Sequence, residues 1–258
     1  MGVYEISASG IRMQQYILDT VANNIANVNT NGYKARRAEG ADIRFNLHDI
    51  LELETGEDDP RSAGSILQAT TKLWAQGPAQ ITDRDLDVAV FGEGFLQVDN
   101  GVETAYTRSG SLDVDADGML VTADGGFVLG IDGLPIQVPE GSAISRIDDT
   151  GNVQAIEFGG TDEQAIGQVG LARFENAQGL LAIGDSLFTA TEASGAPIAG
   201  GPGDEGFGRV VGGVLESSNV DLPDEMTRMV EAQRAYQLNI NALRTLDEMV
   251  ARALDLRR

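Results

Sequence analysis

The chain has 258 residues, a formal net charge of −22, no cysteine and one histidine, and 42% of its residues are hydrophobic. This length holds one large domain or two modest ones. The lack of cysteine excludes disulfides, thiolate metal sites and cysteine nucleophiles. No apolar run approaches the roughly 20 residues of a membrane span, so we expect no direct membrane insertion.

The negative charge is concentrated in the middle of the chain. Residues 51–215 carry 27 acidic and 7 basic side chains, residues 1–50 carry 5 of each, and residues 216–258 carry 8 acidic and 6 basic. An anionic surface repels phosphate backbones, so we expect no nucleic-acid partner. The nearly neutral ends can approach copies of themselves without that repulsion.

The first segment has the spacing of an amphipathic helix over residues 4–29. Its apolar residues, among them Ile17, Val21 and Ile25, recur mostly at three, four or seven positions. The pair Asn31-Gly32 is the expected stop, because both residues tolerate left-handed backbone.

Asparagine, a poor helix former, is frequent near the end of this segment. Asn23, Asn27 and Asn31 are spaced by four, and Asn24 adjoins the first of them. The cluster fits either a frayed helix end or a polar ladder that hydrogen-bonds neighbouring helices and fixes their register.

The last segment, residues 221–256, predicts a helix of roughly 50 Å. Asp221 can cap it, and Pro223 fits its first turn. One stripe has the spacing of a coiled-coil seam and comprises Leu222, Met226, Met229, Gln233, Tyr236, Ile240, Leu243 and Leu246. A second, nearly opposite stripe comprises Ala235, Leu238, Ala242, Thr245 and Met249. Two opposite stripes indicate either neighbours on both sides, as in a polymer, or a monomeric helical hairpin with small residues facing solvent.

Between the two predicted helices the pattern changes twice. Residues 34–84 mix charged and short apolar runs, include an acidic stretch at residues 52–59, and predict loops and extended strands. From residue 85 to about residue 216, short strand-like runs, among them LPIQVP at residues 134–139, alternate with Asp-Gly and Gly-Gly turns, which predicts a β-rich domain.

One local motif is similar to a calcium-binding loop. Residues 113–118 are DVDADG, and Asp124 stands at the twelfth position. Such a loop requires flanking helices, whereas these flanks alternate like strands, so a β-hairpin is the favoured interpretation. We find no catalytic constellation and expect no enzymatic activity, no metal and no cofactor.

Several motifs, in order, resemble those of the flagellar basal-body rod and hook protein family. They are residues 22–34 (ANNIANVNTNGYK), 86–98 (LDVAVFGEGFLQV), 105–111 (AYTRSGS), 120–125 (LVTADG), 215–222 (LESSNVDL) and 229–236 (MVEAQRAY). The resemblance covers nearly the whole chain. It implies an α+β fold in which the terminal helices pair as a coiled coil around an inserted, mainly β domain.

The expected domains are a terminal helical polymerisation domain (residues 1–33 and 217–258), a connecting region (34–84) and a β-rich outer domain (85–216). The resemblance implies a structural rod subunit that polymerises helically into a hollow drive shaft and transmits torque to the hook. The chain length favours the distal rod over the hook. The acidic residues 46–68 differ from the pattern of distal rod proteins, so assignment as a proximal or accessory rod subunit is the alternative.

The implied partners are the chain itself, other rod subunits, the hook protein and the surrounding ring proteins. The implied location is the extracytoplasmic basal body, reached by type III export without a cleavable signal peptide. The expected helix contacts in assembly are Ile17, Val21, Asn23, Asn24, Ile25, Asn27, Asn31, Gly32, Met229, Gln233, Tyr236, Leu238, Ile240, Ala242 and Leu243. The alternative of a different class is a secreted calcium- or carbohydrate-binding β protein.

Overall fold

The computed structural model describes residues 3–46, 60–82, 84–158, 160 and 162–255, so the acidic stretch at residues 52–59 lies outside the described residues. The chain divides into two compact units. The terminal unit comprises Met1–Ala26, Arg36–Leu73 and Val220–Arg258, and the central unit comprises Asn27–Ala35 and Trp74–Asn219. Helices at both ends and a mostly β region between them confirm the α+β class.

The terminal unit consists of two helices and a two-stranded ribbon. The helices are α1 (Val3–Ala26) and α2 (Leu222–Asp255), and the strands are β1 (Arg36–Asn46) and β2 (Pro60–Lys72). The helices are antiparallel, because Tyr4 donates a hydrogen bond to Asp247 at 3.0 Å while Asn24, near the other end of α1, bonds Glu225 at 3.1 Å. The ribbon is antiparallel and contains two register shifts.

The helix boundaries follow local chemistry. Helix α2 begins as predicted, with the Asp224 N–H donating to Asp221 Oδ1 at 3.1 Å. Helix α1 ends three residues before the predicted limit, in a turn where the Thr30 N–H donates to the Asn27 carbonyl at 3.1 Å. Gly32 then adopts a φ of +67°, as predicted for the stop. Neither described helix has an 18-residue stretch apolar enough to cross a membrane.

The central unit is built of short antiparallel strands. They are β3 (Ala79–Ile81), β4 (Val88–Phe91), β5 (Phe95–Asp99), β6 (Thr104–Thr107), β7 (Leu112–Val114), β8 (Leu120–Thr122), β9 (Phe127–Val128), β10 (Ser142–Ile147), β11 (Asn152–Glu157), β12 (Glu163–Gln168), β13 (Leu171–Arg173), β14 (Leu181–Gly184), β15 (Leu187–Thr189), β16 (Ile198–Gly200), β17 (Arg209–Gly212) and β18 (Val214–Glu216). The largest sheet runs β14-β15-β6-β5-β9-β8-β7, with β13 and β16 joined through β5. The others are β10-β11-β12, β17-β4 and β18-β3.

Two hydrophobic clusters form the core of the central unit. One is aliphatic and includes Leu96, Leu120 and Leu171, each 0% exposed. The other is aromatic, and its rings meet edge to face; the Tyr106 and Phe174 centroids, for example, lie 4.8 Å apart.

The motif at residues 113–118, which is similar to a calcium-binding loop, forms the β-hairpin that the alternation of its flanking residues predicted. Strands β7 and β8 pair antiparallel on either side of it. Asp115 Oδ1 accepts hydrogen bonds from the Asp117 and Met119 amides at 3.0 and 2.8 Å. This carboxylate therefore closes the turn.

Candidate assembly surface

The two terminal helices meet along a seam of regular spacing on α2. Its buried members are Glu225 and Ala232, and its half-buried members are Met229, Tyr236, Asn239, Ile240, Leu243 and Leu246. The steps between them are mostly three and four residues, which keeps one face of a helix toward its partner. Three positions of the predicted seam are corrected, because Leu222 is 39% exposed, Met226 is 57% exposed and Gln233 is also exposed.

The seam includes a charged residue because polar partners surround it. Asn24, 1% exposed, donates from Nδ2 to Glu225 Oε2 at 3.1 Å, and Arg228 donates to Glu225 Oε1 at 3.2 Å. Asn24 also binds the backbone of Arg36, accepting from its N–H at 2.9 Å and donating to its carbonyl at 2.8 Å. This one asparagine therefore joins α1, α2 and the first residue of β1.

Small residues allow close approach within the terminal unit. A Cβ on Gly10 would lie 3.0 Å from Nδ2 of Asn239, at the contact of α1 with α2. A Cβ on Gly64 would lie 2.1 Å from Oγ of Ser9, which accepts the Ser65 amide at 3.1 Å. The packing of α1 on its neighbours is therefore specific at these points.

The helices also expose apolar side chains. On α2, Leu238 is 69% exposed and Met249 is 61% exposed, and Ala242 between them is exposed as well. On α1, Tyr4 and Tyr16 are 43% and 49% exposed. A group of exposed apolar side chains is a candidate interaction surface. Four members of the predicted second stripe, Thr245 included, are therefore exposed on α2, while Ala235 is half-buried.

The predicted assembly residues fall into three groups. Val21, Asn24 and Gly32 are buried; Ile17, Ile25, Asn27, Asn31, Met229, Tyr236, Ile240 and Leu243 are half-buried; Asn23, Gln233, Leu238 and Ala242 are exposed. Asn27, Asn31 and Gly32 belong to the central unit. A Cβ on Gly32 would lie 2.5 Å from the Arg108 backbone, so close packing within that unit requires glycine there.

A buried ionic cluster in the central unit was not predicted from the sequence. Lys34 Nζ lies 2.5 Å from Glu216 Oε1, and both side chains are 1% exposed. The Gly77 N–H donates to the same carboxylate oxygen at 2.8 Å, and Lys34 also donates to the Ala75 carbonyl at 2.9 Å. Arg108 lies 3.6 Å from the other oxygen, Glu216 Oε2.

Burial governs the electrostatics of this cluster. It lowers the pKa of Lys34, although the hydrogen bond that Lys34 donates to Glu216 opposes the shift. It also lowers the pKa of Arg108, against the attraction of Glu216 and Glu93. The two cations share one carboxylate. Lys34, Arg108 and Glu216 each lie in a different one of the sequence motifs quoted above. Their place in those motifs was the sequence feature that could have identified the cluster.

The comparisons with known proteins agree with these motifs. Three family descriptions match: "Flagella basal body rod protein" at residues 5–34, "Flagellar hook protein FlgE/F/G D1 domain" at residues 89–155, and "Flagellar basal body rod FlgEFG protein C-terminal" at residues 211–256. Together they include both helices and part of the central unit.

Three relatives that match over nearly their whole length carry the same name. The flagellar basal-body rod protein FlgG of Borreliella burgdorferi is 40% identical, covering 98% of this chain and 97% of its own length. That of Agrobacterium fabrum is 38% identical over 97% of both chains, and that of Caulobacter vibrioides 36% over 100% of both. At this identity over essentially the full length, the chain belongs to the flagellar basal-body rod protein family.

Proposed function

We propose that this chain is a structural subunit of the flagellar basal-body rod that polymerises helically into a hollow drive shaft and transmits torque to the hook. We place it in the distal rod, because its length and the name of its full-length relatives fit that subunit. The proximal or accessory position is the second candidate, which the acidic residues 46–68 favour.

The apolar stripe on the outward side of α2 supports this proposal most directly. Leu238 and Met249, two of its large side chains, are more than half exposed in the subunit. A helix that packed only on α1 would need one apolar face, and the seam already supplies it. A neighbouring copy can bury the second face, and burial of apolar surface contributes about 25 cal/mol per Å².

The finer architecture of the assembly is part of the same proposal. The steps of the α2 seam fit a coiled coil with α1. Residues 1–33 and 217–258 form the polymerisation domain, residues 34–84 the connecting region, and residues 85–216 the β-rich outer domain. Of the residues expected above as assembly contacts, the exposed ones contact a neighbouring copy. The buried and half-buried ones on α1 and α2 fix the positions of these helices, and Asn27, Asn31 and Gly32 fix the turn that follows α1.

The partners and location follow from the rod role. The chain binds itself, other rod subunits, the hook protein and the rings around the rod. Type III export carries it to the extracytoplasmic basal body without cleavage of a signal peptide. Its work is mechanical, so it has no enzymatic activity and needs no cofactor.

Isolated basal bodies provide the test. A strain that expresses the chain with a small epitope in an exposed loop is the starting material, and electron microscopy with a labelled antibody locates the epitope along the shaft. We expect label on the rod next to the hook. Label next to the membrane would select the proximal position, and basal bodies without label would refute the rod assignment.

A further inference from the structure

Helix α2 extends beyond the part of it that α1 covers. Near the start of α1, Tyr4 bonds Asp247, and near its end, Asn24 bonds Glu225. These two contacts fix how the helices lie alongside each other. The eight residues of α2 that follow Asp247 extend about 12 Å beyond the Tyr4 contact, at about 1.5 Å a residue. The last two turns of α2 therefore pass the described start of α1.

The uncovered end of α2 keeps the apolar spacing of the seam. Val250 and Leu254 follow the half-buried Leu246 at successive steps of four residues, and they are 47% and 61% exposed. Met249 of the second stripe adjoins them and is 61% exposed. The seam thus continues past the helix that covers it, and three large apolar side chains at the end of α2 face solvent in the single subunit.

The start of α2 exposes a second apolar group. Leu222, Met226 and Val230 are spaced by four residues and are 39%, 57% and 45% exposed. Four residues turn a helix through about 400°, so the three side chains follow one side of it. Both ends of the same helix therefore present an apolar patch that the subunit itself leaves open.

The two ends of α2 differ in charge. Residues 221–231 carry four acidic side chains and one basic side chain, Arg228, which is paired with Glu225 at 3.2 Å. Residues 250–258 carry three basic side chains and one acidic side chain. Contact between two like ends brings together charges of one sign, whereas contact between unlike ends brings together opposite charges. Two helices that stack head to tail also align their dipoles favourably.

We infer that the last two turns of α2 pack against the first turns of α2 in a second copy, so that copies join end to end. The inference rests on the proposed polymer and identifies one of its contacts. Val250 and Leu254 of one copy lose their exposure against Leu222 and Met226 of the next, which supplies the hydrophobic contribution. Because the contact joins two different patches, each copy leaves one patch open at each end, and the array grows as a filament rather than closing as a dimer.

The first experiment cross-links the two ends of α2 in assembled rods. The chain has no cysteine, so Met226→Cys and Leu254→Cys in one chain are the only thiols for a short bis-maleimide. These positions are 28 residues, about 42 Å, apart on one helix, so the reagent cannot join them within a copy. We expect a ladder of covalent multimers from the double variant and no dimer from either single variant.

A matched pair controls for nonspecific cross-linking. Gln237→Cys with Leu254→Cys places the first thiol at an exposed position in the middle of α2 and should give no ladder. Rods of the Met226/Leu254 double variant without a ladder, dimers from a single variant, or an equal ladder from the control pair would each overturn the end-to-end contact. Failure of the unsubstituted chain to form rods would instead refute the proposed function, and this inference with it.

The second experiment reverses the charges at the contact. Arg252 is 80% exposed at the end of α2, and Asp224 is exposed at its start. We expect Arg252→Glu to lower incorporation into rods about tenfold, because it places like charges together, and Asp224→Arg in the same chain to restore it. Arg244→Glu makes the same charge change in the middle of α2, where it should gain nothing from Asp224→Arg. Full incorporation of Arg252→Glu, or no restoration by Asp224→Arg, would overturn the inference.

Discussion

The buried carboxylate of Glu216 offers a quantitative test of what stabilises the central unit. Glu216 neutralises Lys34 at 2.5 Å and accepts the Gly77 amide at 2.8 Å, and Arg108 lies 3.6 Å from its second oxygen. Glu216→Gln keeps the shape of the side chain but leaves two buried cations without an anion. Breaking a buried pair in this way costs about 3–5 kcal/mol. Whole domains have about 5–15 kcal/mol of stability, so the loss is large.

A second variant distinguishes charge balance from simple packing. Lys34→Met removes one buried cation and leaves Glu216 with Arg108 and the Gly77 amide. We therefore expect it to cost less than Glu216→Gln. The double variant should cost less than the sum of the two, with a coupling of about 0.5–3 kcal/mol.

The assay is urea unfolding followed by Trp74 fluorescence. The Trp74 ring lies 5.1 Å from those of both Phe95 and Phe188, so its emission reports the central unit. Glu157→Gln, at an exposed strand end, is the control and should change stability by less than about 0.5 kcal/mol. A loss for Glu216→Gln as small as that of the control, or strict additivity with Lys34→Met, would refute the reasoning.

Three further predictions concern the terminal unit. Burial, together with Arg36, lowers the pKa of Lys72 to about 8, and the unfolded value is about 10.4. Between about pH 8 and pH 10.4 the unfolded chain binds more protons at Lys72 than the folded chain does, so this side chain makes the free energy of unfolding rise with pH. In Arg36→Gln, NMR titration of labelled lysine should show a higher pKa for Lys72. An unchanged pKa would exclude repulsion between Arg36 and Lys72. Asn24→Ala should reduce the free energy of unfolding by about 1–3 kcal/mol and lower the melting temperature of the helices, because the Glu225 carboxylate and the Arg36 backbone lose this partner. The control Gln15→Ala, at an exposed position, should have little effect. Amide exchange in α1 and α2 should be fast in the monomer, where the seam buries few large side chains, and slow in the polymer; equally strong protection in both would contradict this expectation.

Local sequence signals predicted the elements with strong local chemistry. The cap at Asp221 and the apolar periodicity located α2 within one residue at each end of its range. The Asp-Gly turn at residues 117–118 predicted the β7–β8 hairpin, because such a pair tolerates the positive φ that Gly118 adopts. In each case the determining contacts lie within a few residues of one another.

One predicted strand is absent for a local reason. The run LPIQVP at residues 134–139 alternates like a strand, yet the structure gives it only isolated bridges, Leu129 with Pro135 and Met119 with Gln137. Its two prolines lack the N–H that a strand ladder needs. The periodicity of the side chains was correct, but the backbone could not complete the pairing.

The buried charged residues could not be predicted from the sequence, because their burial depends on partners that are distant along the chain. Glu225 is a charged residue, so the apolar stripe excluded it from the seam. Arg228 is a partner close to it in sequence, but Asn24, its partner on α1, is 201 residues away. Lys34 and Glu216 are 182 residues apart, and no local spacing links them. A polar residue's burial depends on its partner, which hydrophobic periodicity does not report.

The most direct test of the assembly account is the incorporation of Ala242→Glu into the rod. Ala242 is exposed in the subunit, so the charge should change the stability of the monomer by less than about 0.5 kcal/mol. In a contact between copies, an unpaired buried charge costs several kcal/mol, and the contact repeats along the shaft. Gln237→Glu, also exposed on α2 but outside the second stripe, is the matched control. We predict that Ala242→Glu folds normally by circular dichroism and yet is absent from isolated rods, leaving the cells non-motile, while the control assembles. Incorporation of Ala242→Glu at the level of the unsubstituted chain would contradict the account, because it would show that the second stripe of α2 faces solvent in the rod.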